Sequence, residues 1–157
     1  MQTNPCIQFV DFHRCGDIWN GRKYVKFYPG TGSTSDPHSN VINVEFAKKY
    51  TINDVKTEWN TKVKPAIKKF KPNVIIICAG FDAHKNDPMA AAKLTAADFG
   101  AWTRAIMSLA ADLESCHGRI ISLLEGGYDT EKTNGLGKSV EEHLKALVER
   151  DRRLVDW

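Results

Sequence analysis

The stretch NVIIICAGFDAHKNDPM, residues 73–89, decides the fold of this chain. After Asn73, its residues up to Ala79 are apolar and mostly β-branched, which is typical of a short strand buried on both faces of a parallel sheet. A second stretch, RIISLLEGGYD at residues 119–129, repeats the pattern and ends its strand at a glycine pair. A helical apolar pattern lies between the two stretches. The order strand, helix, strand indicates an α/β fold.

The same alternation extends towards the amino end of the chain. Residues 6–12 (CIQFVDF) and 41–46 (VINVEF) are β-branched and aromatic, and we predict a strand over each. Residues 16–37 are rich in Gly, Pro and Ser and are predicted to form a loop. We predict that these strands belong to the same mainly parallel sheet. The loops that follow the strands then lie together at the carboxyl-terminal edge of that sheet.

Three helices are predicted to cover both faces of that sheet. The first is expected to begin at Asn53 and to kink at Pro65. The second begins at Thr95, which has the spacing of a capping box with Asp98. The last begins at or near Ser139 and is amphipathic. Strands and helices together predict an α/β domain with helices on both sides of a parallel sheet.

Composition excludes several other classes of protein. The chain has 157 residues, of which 42% are hydrophobic, so it can bury a core and is not disordered throughout. Lys and Arg number 22 against 19 Asp and Glu, and a net charge of +3 does not argue for nucleic acid or a membrane. The longest apolar run, residues 74–79, is far short of the ~20 that span a bilayer. No signal peptide is visible, and four cysteines without a C-x-x-C pair indicate reduced thiols.

The loop after residue 79 carries three side chains of the kind that bind zinc. Asp82, His84 and Asp87 lie within six residues, and carboxylate and imidazole are ordinary zinc ligands. Spacing alone does not choose among them. The alternative is that Asp and Asn only shape a turn and cap the next helix.

The loop after the second stretch carries a possible catalytic phenol. Gly126 and Gly127 allow a sharp turn and a close approach to a ligand. Tyr128 follows directly, and its hydroxyl could donate a hydrogen bond to a developing oxyanion. A phosphate-binding glycine turn or a plain turn between strand and helix would look the same.

Taken together, these stretches resemble the zinc-dependent histone deacetylase family, in its class II form. Members have an S-A-G-F-D-A-H-x-x-D-P stretch and an L-E-G-G-Y stretch in this order. FYPGTG at residues 27–32 and FKPN at residues 70–73 extend the likeness, which covers residues 6–148. The resemblance implies an arginase/deacetylase-type three-layer α/β/α domain, of which residues 1–157 would be the carboxyl-terminal portion.

The resemblance also implies a role for individual residues. Asp87 would be a ligand of Zn²⁺, and Tyr128 would stabilise the oxyanion. The substrate channel would be lined by Tyr28, Leu94, Gly126 and Gly127. For Leu94, the alternative is a core leucine at the start of a helix. We expect the Asp87 carboxylate and the Tyr128 phenol to face one cavity, with neither side chain fully enclosed.

The reaction that the family performs is hydrolysis of acetyl-lysine amides in histones or other proteins. It needs further zinc ligands from an Asp-x-His stretch and, separately, a histidine pair that moves protons. The five histidines here include neither pattern. We therefore expect the chain to be inactive alone, with the remaining zinc ligands outside it. The family also implies a corepressor-type protein complex as partner and a place in the nucleus or cytoplasm, without direct binding to nucleic acid or membrane.

Three other functions remain open from the sequence. The same fold could hydrolyse a small acyl amide such as an acetylpolyamine. The chain could also be a non-catalytic remnant that acts as an interaction module through an exposed sheet edge. The third hypothesis is nucleotide binding through the glycine pair, and the lack of a G-x-G-x-x-G or Walker pattern argues against it.

Overall fold

The structure is a computed structural model that describes residues 4–19, 22–26, 32, 40–131 and 133–149. The chain divides into two compact units, Met1–Tyr50 and Thr51–Trp157. The described strands form three two-stranded sheets rather than the single sheet that was predicted. Two of these sheets are parallel and helices accompany them in the second unit, which confirms the predicted α/β class. The candidate chemistry of residues 82–128 lies within the second unit.

The first unit contains a parallel pair of strands. β1 (Phe9–Arg14) pairs with β4 (Val41–Phe46) from Phe9 opposite Val41 to Arg14 opposite Phe46. The predicted strand at 41–46 is confirmed. The one predicted at 6–12 begins later, because the Ile7 amide donates to the Asn4 carbonyl at 3.1 Å and closes a turn before the strand.

A short hairpin lies within the segment that was predicted to be a loop. β2 (Asp17–Trp19) pairs antiparallel with β3 (Tyr24–Lys26). The loop prediction over residues 16–37 is therefore wrong for these strands. A pattern of three residues is too short to register as a strand by alternation, since the period of two needs several residues to become visible.

The second unit opens with a helix that changes its winding. α1 (Ile52–Glu58) is followed by a π-helical turn (Trp59–Val63) and then by α2 (Lys64–Phe70). Thr51 caps this helix in place of the predicted Asn53, because Thr51 and Asp54 form a capping box. The expected irregularity near Pro65 takes the form of this π turn, which lies where proline removes a helical N–H donor.

The candidate site is carried by the strands and helices that follow. β5 (Ile75–Gly80) and β6 (Ile120–Gly126) run parallel, with α3 (Ala96–Asp112) between them in sequence and α4 (Gly135–Val148) after them. The capping box of Thr95 and Asp98 at the start of α3 is confirmed. The last helix was predicted to begin at or near Ser139, and it begins four residues earlier, at Gly135. Ser139 lies inside α4, and its hydroxyl donates to the Gly135 carbonyl at 2.7 Å.

A buried polar and aromatic cluster ties this sheet to the two helices. Ser122 of β6 and Thr103 of α3 lie 2.8 Å and 2.7 Å from the two ring nitrogens of His143 on α4. Because the Thr103 hydroxyl donates to the Phe99 carbonyl, it accepts from His143 Nδ1, and Nε2 accepts from Ser122. Burial lowers the pKa of His143, which fits this neutral ring. The Phe81 ring packs edge-on against it at 5.5 Å.

The opposite face of the β5–β6 sheet is exposed. Ile76 is paired with Ile121, and Cys78 with Leu123. The three large apolar side chains, Ile76, Ile121 and Leu123, are 50–57% exposed, and Cys78 is exposed as well. The prediction that these strands are buried on both faces is therefore wrong for this chain. Their inner face bonds to α4 through Ser122, whereas the outer face remains open to solvent.

Two sequence expectations concern the chain as a whole. All four cysteines are free thiols, as predicted, and Cys116 is fully buried. In the parts of the chain that the structure describes, no helix has the length and apolar character needed to cross a membrane.

Candidate active site

A β-bulge at the end of the sheet positions the two site loops. The pairing of β5 with β6 runs regularly to Ala79 opposite Leu124 and then shifts, so that Gly80 faces Gly126. The extra residue, Glu125, lies in β6 at the point where the strand bends. Beyond the bulge, the Phe81 amide donates to the Gly126 carbonyl at 3.0 Å. The loops after both strands therefore leave the sheet side by side.

The loop after β5 folds into two tight turns that deliver Asp87. The His84 amide donates to the Phe81 carbonyl at 3.1 Å, and the Asp87 amide donates to the His84 carbonyl at 2.9 Å. Phe81 is only 3% exposed and anchors the first turn against Phe99. Leu94 closes the loop, because its amide donates to the Ala83 carbonyl at 3.2 Å. The loop is thus closed by hydrogen bonds at both ends and buries Phe81 and Leu94, while residues such as Asn86 stay exposed.

The Asp87 carboxylate is oriented by two backbone donors. The Met89 amide donates to Oδ1 at 2.8 Å, and the Tyr128 amide donates to Oδ2 at 2.7 Å. The second bond joins the two predicted site residues across 41 positions of sequence. Asp87 is 7% exposed, so its carboxylate is nearly enclosed. Each oxygen has one donor and keeps a lone pair, which a cation could use.

Tyr128 presents its side chain to solvent at the same place. It is 55% exposed, while its amide is held by Asp87. Its hydroxyl lies 3.8 Å from the point that a Cβ on Gly126 would occupy, so the ring lies beside the end of β6. The structure therefore brings the Tyr128 backbone onto the Asp87 carboxylate and leaves the phenol accessible.

The glycine pair fits this arrangement for two separate reasons. Gly127 has φ +126°, a region that side chains rarely adopt, and a Cβ there would lie 2.5 Å from Leu136 Cδ1. Gly126 faces the backbone of Gly80, whose Cα would be 3.6 Å from an added Cβ. That distance is an ordinary van der Waals contact, so the strict requirement for glycine lies at Gly127, where both the backbone conformation and the close neighbour exclude a side chain.

Asp82 lies closer to the phenol than the sequence indicated. Its Oδ1 is 3.8 Å from the Gly126 Cβ position, the same distance as the Tyr128 hydroxyl. Burial raises the pKa of Asp82, and the charge of Asp87 raises it further. Asp82, Asp87 and Tyr128 thus border one small region at the ends of β5 and β6.

His84 is not among the groups open to a ligand. It is 5% exposed, and its Nδ1 accepts from the Asn86 amide at 3.3 Å, so the neutral ring carries its proton on Nε2. Burial lowers the pKa of His84, with the charge of Asp129 acting in the opposite direction. A Cβ on Gly135 would lie 2.5 Å from both His84 Nδ1 and Asp129 Oδ2, so these groups face each other across a glycine.

Asp129 is a site-adjacent residue that the sequence analysis did not single out. It is 7% exposed and accepts from the Thr133 hydroxyl and from the Gly135 amide, the latter at 3.0 Å. The hydrogen bond from Thr133 is the main cause that lowers the pKa of Asp129. No N-cap pattern singles it out, because it lies six residues before the first residue of α4.

Two of the predicted channel residues have different outcomes. Leu94 is 0% exposed and belongs to the core, which favours the alternative of a core leucine at a helix start. Tyr28 lies outside the described residues.

The described residues do not contain a complete metal site. Among them, no three His, Cys, Asp or Glu side chains are grouped so as to hold a metal ion. Protein zinc sites use three or four protein ligands. The Asp87 carboxylate accepts two backbone hydrogen bonds and is nearly enclosed, which would suit a single metal ligand. A complete site would need further groups.

Fold and site together define an α/β domain of the arginase/deacetylase type. The model of the histone deacetylase domain matches residues 1–147. The chain therefore belongs to the histone deacetylase family. It is 37% identical over 149 residues to type-2 histone deacetylase 2 of Dictyostelium discoideum, and 31% identical over 153 residues to the chloroplastic histone deacetylase 14 of Arabidopsis thaliana.

Solved structures of the family share the fold. The chain matches the HDA15 HD domain with a TM-score of 0.71 at 29% identity, and the histone deacetylase Clr3 with a TM-score of 0.74 at 25% identity. These matches cover 89% and 93% of this chain but 37% and 23% of the solved chains. The chain likewise spans 8% of the Dictyostelium protein and 33% of the Arabidopsis protein.

Proposed function

We propose that this chain contributes one side of the active site of a zinc-dependent deacetylase that hydrolyses acetyl-lysine amides. The observation that carries the proposal is the 2.7 Å bond from the Tyr128 amide to Asp87 Oδ2. It puts a metal-ligand type of carboxylate and an accessible phenol on adjacent loops at the carboxyl end of a parallel sheet, where α/β folds bind ligands. Membership of the histone deacetylase family supports the same reaction.

Asp87 is the proposed zinc ligand of this chain. Its two backbone donors fix the orientation of the carboxylate before any cation arrives, as groups behind a metal ligand usually do. Zinc, when bound, would polarise the acyl carbonyl and make water a better nucleophile. The remaining ligands would come from outside this chain, and we expect residues 1–157 to be inactive alone.

Tyr128 is the proposed oxyanion donor. As the amide carbon becomes tetrahedral, its oxygen gains negative charge, and a phenol O–H placed there stabilises that charge. The exposed phenol and the fixed backbone of Tyr128 suit this role. The hydroxyl contributes most in the transition state, so its loss should lower kcat more than it raises KM.

The proposed channel wall of the second unit consists of Gly126 and Gly127. The two glycines leave a surface without side chains beside the phenol, where the alkyl stem of a lysine could pass. Acetylated lysine in histones or other proteins is the proposed substrate, with a corepressor-type complex as partner in the nucleus or cytoplasm.

The test uses the protein tagged at its own gene and purified from its own cells. We expect hydrolysis of an acetyl-lysine peptide and about one bound zinc per active site. Tyr128→Phe should reduce kcat roughly a hundredfold with zinc content unchanged. Asp87→Asn should lose both zinc and activity, because an amide oxygen is a much weaker ligand than a carboxylate.

Matched substitutions separate these effects from general damage. Tyr50→Phe removes a phenol in the first unit, and Asp112→Asn removes an exposed carboxylate at the end of α3. Both variants should keep wild-type activity and zinc content. Turnover by Tyr128→Phe equal to that of the wild type would contradict the oxyanion role, and full zinc content in Asp87→Asn would contradict the ligand role.

The same assay distinguishes the alternative substrate. A preference for an acetylpolyamine over the acetyl-lysine peptide would assign the protein to small-amide hydrolysis with the same residues.

A non-catalytic interaction module is the second candidate function. The exposed apolar face of Ile76, Cys78, Ile121 and Leu123 supports it, because contiguous apolar surface commonly marks a binding site. This candidate expects partner binding that is independent of zinc. Tight, stoichiometric zinc in the purified protein would contradict it.

A further inference from the structure

Three polar side chains next to the candidate site link the loop after β5 to the loop after β6. Asn86 directly precedes Asp87, and its Nδ2 donates to the Thr133 hydroxyl oxygen at 2.8 Å across 47 positions of sequence. Thr133 in turn donates to Asp129, the residue directly after Tyr128. We refer to Asn86, Asp129 and Thr133 as the latch. Each of the two proposed functional residues thus has a latch residue as its immediate neighbour.

The latch is itself fixed to the start of α4. The Gly135 amide donates to Asp129 Oδ2 at 3.0 Å, and the Leu136 amide donates to the Asp129 carbonyl at 3.1 Å. These bonds hold the backbone and the carboxylate of Asp129 on a 14-residue helix. A negative charge at a helix start is also electrostatically favourable. Asp129 therefore attaches the loop that carries Tyr128 to the start of α4.

The backbone of Tyr128 is consequently held from two sides. Its amide is bonded to Asp87 at 2.7 Å, and the residue that follows is bonded to α4. The side chain itself is 55% exposed, so packing contributes little to where the hydroxyl points. The direction of the phenol then depends mainly on the backbone that carries it, and an oxyanion donor works only when it is placed to within a fraction of an ångström.

We propose that the latch is a positioning device that sets Tyr128 relative to Asp87. This proposal rests on the proposed function of those two residues. The bridging hydroxyl of Thr133 is its central element, because it accepts from Asn86 and donates to Asp129 at the same time. Asn86 and Thr133 are exposed residues, so the fold of the unit does not depend on burying them.

The test replaces Thr133 by valine, which keeps the shape and removes the hydroxyl. Thr133→Ser keeps the hydroxyl and serves as the conservative rescue. The matched control is Thr130→Val, at an exposed threonine in the same loop. The first measurement is amide hydrogen exchange of Tyr128 in the whole chain, with the amide of Leu109 in α3 as internal reference.

We expect the Tyr128 amide to exchange about tenfold faster in Thr133→Val, because the loop loses two side-chain bonds that restrain it. Thr133→Ser and Thr130→Val should exchange at the wild-type rate, and Leu109 should be unchanged in all three. An unchanged Tyr128 rate in Thr133→Val, or an equal increase in Thr130→Val, would overturn the proposal.

The second measurement is turnover by the protein purified from its own cells. Thr133→Val should lower kcat about tenfold, leave KM within about twofold and keep the zinc content, because a misplaced donor weakens transition-state binding only. Thr133→Ser should restore most of kcat. An equal loss in Thr130→Val, or a rise in KM with kcat unchanged, would reject a positioning role.

The two proposals fail in different ways. A wild-type protein without deacetylase activity overturns the proposed function and with it the catalytic purpose of the latch, whatever the exchange rates. An active wild-type protein whose Thr133→Val variant retains full kcat overturns the positioning role alone.

Discussion

Replacement of Gly127 by alanine perturbs the junction between the two loops most directly. The residue has φ +126°, a conformation that costs an L-residue about 1–3 kcal/mol. A new Cβ would also lie 2.5 Å from Leu136 Cδ1 and 3.3 Å from Phe81 Cβ. The end of the Leu136 side chain can turn aside at little cost, but Phe81 Cβ is held next to its backbone and must give way, which costs about another 1 kcal/mol.

We therefore expect Gly127→Ala to lower the free energy of unfolding by about 2–4 kcal/mol. That is a large share of the roughly 5–15 kcal/mol that a domain has in total. Urea titration of the chain, followed by far-ultraviolet circular dichroism, measures the loss. The m-value should stay constant if only stability changes.

Gly16→Ala separates the backbone cost from the steric cost. Gly16 also has a positive φ, +101°, but among the residues that the structure describes an added Cβ would meet nothing within 4 Å. It should therefore lose only the backbone part. If Gly127→Ala costs no more than Gly16→Ala, the steric account of the glycine pair is refuted.

Three other perturbations probe the second unit. Burial lowers the pKa of His143, so the stability that this group contributes is full above pH ~6.5 and is lost as the pH falls through the folded pKa. Urea titrations below pH ~6.5 measure how the free energy of unfolding depends on pH, and His143→Gln should reduce that dependence by up to about 1.4 kcal/mol per pH unit. An unchanged slope would refute this. Thr95→Ala removes the capping box with Asp98 and should cost about 1 kcal/mol in the same titration; an unchanged midpoint would contradict it. Cys116, which is 0% exposed, should react with a thiol reagent only after unfolding, whereas exposed Cys6 reacts at once; fast reaction of all thiols in the native chain would disprove this.

Local signals located most elements of the second unit. Thr95 and Asp98 lie three residues apart, so the capping box at the start of α3 is complete within one turn and needs no distant contact. The start of α1 was misplaced by two residues, because Thr51 with Asp54 makes the same motif and competes with Asn53 as the cap. The start of α4 was misplaced because Asn134 adopts the left-handed conformation and offers no side-chain cap. Asp129 accepts from the first helical amide instead.

The exposure of the sheet could not be predicted in the same way. Ile76 and Ile121 have the composition of strands covered on both faces, but coverage depends on which other elements pack there. In this chain, one face bonds to α4 through Ser122 and the other is open. A residue pattern reports the environment for which a strand is suited and does not report what covers it.

The sequence by itself determined the family motifs, the alternation of strands and helices, and the candidates Asp87 and Tyr128, because each of these is encoded within a few consecutive residues. Tertiary structure alone decided that the amide of one candidate bonds to the carboxylate of the other, that Leu94 is enclosed, and that Asp129 and Thr133 join the two loops. The physical reason is distance along the chain. Contacts between residues more than forty positions apart arise only when β5 and β6 pair in register and a bulge sets their ends side by side.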